Sequence, residues 1–225
     1  MRREGKELDT HHALNPDPVT RVFLIRHGQT EWNRQEVFRG RADVPLSATG
    51  HRQAEAVGRR LAGEPFSAIY CSPLSRAVAT AHHLSGPNPQ PTHGLVDMSY
   101  GEWEGLSHDQ VRARFPDLYA RWVSAPHLVR PPKGETLAEV RQRATETLTR
   151  IVARHRGTSV AVVSHRVVNK VLLCAILGLG EAGFWRIRQD TGCLNILESA
   201  GDRISIVLLN DVWHLQGLEP DASDF

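Results

Sequence analysis

The chain has 225 residues, few cysteines, little net charge and no long apolar run. Its three cysteines, Cys71, Cys174 and Cys193, lie far apart and form no CxxC pair. That argues against a disulfide framework or a zinc knuckle and fits a reducing cytoplasm. A net charge of +2 without a Lys/Arg block leaves no electrostatic footprint for nucleic acid. The longest apolar stretch, residues 167–179, is interrupted by Asn169 and Lys170, so no membrane partner is expected. The opening MRREGKELDT lacks the apolar core of a signal peptide, which again fits a cytoplasmic location. His11-His12 and His82-His83 lack the spacing of HExxH, and no metal site is expected.

What remains is the balance of an ordinary globular domain, with 40% hydrophobic and 23% charged residues. Residues 1–20 are polar, contain Pro16 and Pro18, and read as a mobile arm. Residues 216–225 read as an acidic tail, leaving one domain over 21–215. There, strand and helix patterns alternate. Residues 21–25 and 158–164 are apolar blocks suited to strands buried on both faces, and residues 68–70 repeat the pattern more weakly. Residues 193–197 and 204–209 read as two further strands joined by a turn at Ala200-Gly201-Asp202. Ala54, Val57 and Leu61 recur at helical spacing after Thr49-Gly50. Ser107 with Gln110 and Thr136 with Glu139 form capping boxes. The second box opens a helix with Leu137, Val140, Ala144, Leu148 and Ile151 on one face, stopping at Gly157. This alternation implies a single α/β domain with a mostly parallel, Rossmann-like sheet and helices on both faces.

In such sheets the chemistry lies beyond the carboxyl ends of the strands. Two strands end there in Arg26-His27-Gly28 and His165-Arg166, and a third leads into Ser72-Pro73-Leu74-Ser75-Arg76. Gathered together, these residues make a pocket cationic enough to need an anion, and guanidinium forks match phosphate oxygens. Gly28 is expected to let the backbone approach that anion. A neutral imidazole can attack phosphorus directly. Arginines then stabilise the equatorial oxygens, and a carboxylic acid must protonate the leaving oxygen. Asp97, Glu102 and Glu104 compete for that role.

The stretches LIRHGQTEWN (24–33), GRADVPLSATG (40–50), YCSPLSRAVATA (70–81), YGEWEG (100–105), GETLAEV (134–140) and VAVVSHRVVNKVLL (160–173) together resemble the histidine phosphatase superfamily, the phosphoglycerate mutase-like group. The resemblance covers roughly residues 21–210. It implies hydrolysis of a small phosphorylated metabolite through a phosphohistidine on His27, with no metal or organic cofactor and a homodimer as one possible assembly. It also implies that Arg26, Arg76 and His165 complete the phosphate pocket, that Thr30 and Asn33 add hydrogen bonds to the phosphoryl group, and that Asp97 is the acid. Glu102 and Glu104 then become scaffold. Arg39, Arg166 and His214 are the further candidates for contact with the rest of the substrate.

Two departures stand out. The family's usual acid is Glu, and Asp97 shortens that arm by a methylene. The family usually has Gly after the second histidine, where this chain has Arg166, which puts a close backbone approach in doubt and adds a cation. Two rival readings exist. A mutase would return the phosphoryl group to another hydroxyl, but mutases of the family carry a longer segment after the YG pair than the roughly thirty residues between Gly101 and Gly134 here. A non-catalytic phosphate- or phosphoprotein-binding module would have no need of the nucleophile.

Overall fold

The apolar run following Pro18 forms strand β1 (Thr20–Arg26), an inner strand of a six-stranded sheet. The structure, a computed structural model, describes residues 17–201 and 203–218. Residues 1–16 of the expected arm, 219–225 of the expected tail and Asp202 of the expected turn lie outside the described residues. After β1 come α1 (Glu31–Arg34), α2 (Ala48–Arg60), β2 (Phe66–Cys71), α3 (Ser75–Ala81) and β3 (Gln90–Pro91). The chain continues through α4 (His108–Arg114), α5 (Pro116–Ser124), α6 (Leu137–Arg154), β4 (Ser159–Ser164) and α7 (Arg166–Ile176). It closes with β5 (Leu194–Ala200) and β6 (Arg203–Asp211).

The strand order is β3-β2-β4-β1-β5-β6. β1, β2, β3 and β4 run parallel, whereas β5 is antiparallel to β1 and β6 antiparallel to β5. The sheet is therefore mixed, parallel in three of its five pairings. The segment after α7 accounts for the reversal. It carries the chain back to the carboxyl end of β1, where Arg26 N–H donates to the Cys193 carbonyl at 3.1 Å, so β5 can only run the other way.

Alternate residues of β1 serve two apolar layers. Val22 and Leu24 pack with residues of α6 and α7, including Val140, Leu148 and Val171. Phe23 and Ile25 pack with Val57 of α2, its C-cap residue Leu61, and Ala77 and Ala81 of α3. Burial on both faces is why the strand reads as a continuous apolar run. Each such side chain contributes on the order of 1.5–3 kcal/mol.

The helix starts follow local chemistry. Thr136 and Glu139 cap α6 reciprocally, and the five apolar residues of its stripe are all buried. Ser107 and Gln110 cap α4 in the same way. That helix ends before Phe115, because Pro116 opens α5 at its first turn. α2 begins earlier than the Thr49-Gly50 turn suggested: the Ser47 hydroxyl accepts Gly50 N–H, which draws Ala48, Thr49 and Gly50 into the first turn.

Candidate active site

β1 and β4 are neighbours in register, with Arg26 opposite Ser164. His27 N–H continues the ladder by donating to the Ser164 carbonyl at 3.0 Å. The two histidines leave the sheet one rung beyond its last pair, and their ring centroids are 5.1 Å apart. That is close to the ~4.8 Å spacing of adjacent strands. His165 is also the N-cap of α7, so the positive end of an 11-residue helix opens at the same point.

His27 Nδ1 lies 2.6 Å from the Gly28 carbonyl. A carbonyl only accepts, so Nδ1 carries the hydrogen and Nε2 keeps its lone pair. Burial holds the His27 pKa well below its ordinary value, reinforced by Arg76, His165, Arg26 and Arg39. His165 is held down in the same way, by burial first and then by Arg76, Arg39, Arg143 and Arg26. Neither ring nitrogen of His165 has a hydrogen-bond partner. Its Nδ1 lies 3.6 Å from Asp97 Oδ2, and with the ring neutral this contact is not an ion pair.

The guanidiniums are clamped from behind. Arg76 donates from Nη1 to the Ala42 carbonyl and from Nη2 to the Gly40 carbonyl, both at 2.8 Å. Its Nη2 also lies 3.4 Å from Asp97 Oδ2. Arg26 Nη1 donates to the Gln189 carbonyl. Asp97 Oδ1 accepts Met98 N–H at 2.9 Å, leaving Oδ2 as the oxygen facing Arg76 and His165.

Arg143 fixes the backbone around Asp97. It donates to the carbonyls of Gly94, Val96 and Asp97 and is itself held by Glu135. The competing acids lie elsewhere. Glu104 Oε1 accepts the N–H groups of Tyr100 and Arg41, and exposed Glu102 pairs with Lys133 at 3.0 Å.

A cavity of about 350 Å³ adjoins this cradle, with Asp97, Asn33, Arg39 and Arg166 on its wall. Arg39 is half-buried. Burial and the charges of Arg26, Arg166 and Arg76 bring its pKa down to about 9. Thr30 and Asn33 face each other: Asn33 Oδ1 accepts both the N–H and the hydroxyl of Thr30 at 2.9 Å.

Gly28 differs from the expectation of a close approach to an anion. A Cβ there would come within 2.3 Å of the Gly50 carbonyl oxygen, so its smallness serves the packing of α2. His214 also lies apart from the cavity. Its Nε2 donates to the Gly192 carbonyl at 3.0 Å, while Gly192 N–H donates to the His27 carbonyl at 3.1 Å. It braces the loop beneath His27.

Sequence reasoning missed the buried amides behind Arg26. Gln189 exchanges hydrogen bonds with Asn195 at 2.7 and 2.8 Å, accepts one from Asn169 at 3.3 Å, and presents its carbonyl to Arg26. Only Asn195 and Asn169, as polar residues within apolar runs, carried a signal.

The fold and this arrangement define an α/β protein that gathers guanidiniums and two neutral histidines where strands end, around space for an anion. The chain belongs to the histidine phosphatase superfamily: the model of its branch 1 matches residues 22–212. Phosphoserine phosphatase 1 of Hydrogenobacter thermophilus is 31% identical over 200 residues, covering 88% of this chain and 95% of that protein. The adenosylcobalamin/alpha-ribazole phosphatase of Escherichia coli is 29% identical over 181 residues, covering 79% and 89%. Among solved structures, Bacillus stearothermophilus YhfR matches with a TM-score of 0.84 at 33% identity, covering 88% of this chain and 100% of that one.

Proposed function

We propose that the chain is a phosphatase of small phosphate monoesters that works through a phosphohistidine on His27. The observation that carries this reading is the buried, neutral His27, with Nδ1–H held by the Gly28 carbonyl beside the Arg76 clamp. Its Nε2 lone pair attacks phosphorus, and the bond to the leaving oxygen breaks. Arg26 and Arg76 stabilise the charge spreading over the equatorial oxygens. Asp97, protonated for this step, gives its proton to the leaving alkoxide. It then takes a proton from the water that releases phosphate and regenerates His27. Relatives named for phosphoserine and alpha-ribazole support a small monoester as substrate.

Rapid-quench reaction with a phosphate monoester, followed by peptide mapping, tests the mechanism. The expected product is an acid-labile, base-stable phosphoryl group on the peptide containing His27. Turnover that labels a different residue, or none, sinks the reading. The positive charge at the phosphoryl group comes from guanidiniums, so activity should persist undiminished in EDTA.

A further inference from the structure

We infer that the cavity beside the cradle selects phosphate monoesters whose alcohol portion carries a second anionic group, bound by Arg166 and Arg39. The inference rests on the phosphatase reading above and concerns the substrate class of that same site.

The charge balance carries it. Arg26, Arg76, Arg39 and Arg166 crowd one another: the first, second and fourth all act on Arg39. One buried carboxylate, Asp97, lies among them, in contact with Arg76; Asp43 also acts on Arg76, but from an exposed position where solvent screens it. With Asp97 ionised a phosphoryl dianion leaves one of the four arginine charges unmatched, and with Asp97 protonated, as phosphoryl transfer requires, it leaves two.

The excess lies on the cavity side of the cradle. Arg76 spends its terminal nitrogens on the carbonyls of Gly40 and Ala42, and Arg26 is tied to Gln189. Arg39 and Arg166 line the cavity, where Arg166 also engages the Tyr100 side chain. Arg39 Nε is buried with no hydrogen-bond partner.

The other charged groups on the wall do not remove the excess. Asp109 pairs with Arg112 at 2.7 Å, and Glu36 lies at the exposed rim. His108 cannot add charge near neutral pH, because burial and then Arg166, Arg39 and Arg112 bring its pKa down to about 4. The lining also includes aromatic rings, with His108 stacked on Phe38 at 4.4 Å and held by the Tyr119 hydroxyl at 3.1 Å. A compact tail would share this cavity with the aromatic rings, its anionic end meeting Arg166 and Arg39.

The anion could be a carboxylate or a second phosphate, and matched pairs of substrates separate the two. One pair is 3-phosphoglycerate against glycerol 3-phosphate, which exchanges the carboxylate for a hydroxymethyl group. The other is 1,3-propanediol bisphosphate against its monophosphate. Steady-state kcat/KM is measured for all four with the intact chain. A charge-assisted contact predicts a preference of roughly 10- to 100-fold for the charged member. A preference in the first pair alone assigns a carboxylate, in the second alone a phosphate, and in both a site for either.

In Arg166→Gln and Arg39→Gln the charged-to-neutral ratio should fall towards one. The ratio is internal to each variant, so partial loss of folded protein does not distort it. Equal kcat/KM within both pairs for the wild-type chain overturns the inference while leaving the phosphatase reading intact. A preference that survives in both variants overturns the assignment to these arginines. Failure to hydrolyse any of the four esters, with no phosphohistidine formed, counts against the phosphatase reading itself.

Discussion

His27 and His165 are both buried and both held neutral, yet they are not equivalent. His27 has one nitrogen committed to a carbonyl, which fixes its tautomer, whereas neither nitrogen of His165 has a hydrogen-bond partner. Under the proposed mechanism only His27 is oriented for attack. His27→Ala should lose at least about a thousandfold in kcat, because the covalent route disappears. Asp97→Asn provides a finer test. An alkyl ester needs its leaving oxygen protonated and should slow by roughly 10²–10⁴. p-Nitrophenyl phosphate needs little protonation and should slow far less. The opposite pattern, with Glu102→Gln or Glu104→Gln showing the leaving-group dependence instead, would falsify the assignment of Asp97. At Arg76 the geometry predicts that Lys is no substitute, because one ammonium cannot hold two carbonyls and still face a phosphoryl oxygen.

At the scale of elements, the decisive packing is between the loop after β1 and the start of α2. Gly28 and Gly50 meet there without room for a Cβ. One added at Gly28 would reach the Gly50 carbonyl oxygen at 2.3 Å, and one at Gly50 the Gln29 carbonyl oxygen at 2.0 Å. Gly28→Ala or Gly50→Ala should therefore lower stability by about 1–3 kcal/mol, read as a fall in Tm and accompanied by loss of activity as His27 is displaced. An unchanged Tm would mean that α2 can shift at no cost.

Much at this scale was legible in the sequence. Strands buried on both faces write themselves as apolar blocks, as at residues 21–25 and 158–164, and the capping boxes at Ser107 and Thr136 mark helix starts by short-range hydrogen bonds. The antiparallel course of β5 was not legible. Strand direction is decided by where the segment after α7 returns the chain, and no local pattern records that. Gln189 was hidden for the same reason, since its value lies in a backbone carbonyl, which any residue possesses. His214 could be read either way, because an imidazole near the end of the chain looks the same whether it faces a ligand or props up a loop.

For the whole molecule, the buried histidines tie folding to pH. His27 and His165 have folded pKa values well below the unfolded value of about 6.5, and His108 falls to about 4. Below that unfolded value the unfolded chain takes up protons that the folded chain refuses. Stability is therefore fully present above about pH 6.5 and is lost as pH falls. The denaturation midpoint should drop between pH 7 and pH 5, before most carboxylates titrate, and His165→Asn should flatten that drop. A midpoint constant over this interval would contradict the buried, neutral state. The same cationic cradle predicts that inorganic phosphate raises Tm, by an amount that grows with the logarithm of its concentration once the site is saturated.

The ladder between β1 and β4 bears on how such a protein can change over evolutionary time. The spacing of the two histidines is set by hydrogen bonds between strands, down to the bond from His27 N–H to the Ser164 carbonyl. The segment between Gly101 and Gly134, which carries His108, Arg112 and Tyr119 of the cavity wall, hangs outside that ladder. Trp103, Val111, Trp122 and Val129 of this segment are buried in the core, so substitutions at its exposed wall positions, Asp109 and Arg112, are the changes that should alter the cavity without moving the two histidines. The spacing of the histidines is thus a property of the sheet, whereas the shape of the neighbouring cavity is a property of a few exposed side chains beside it.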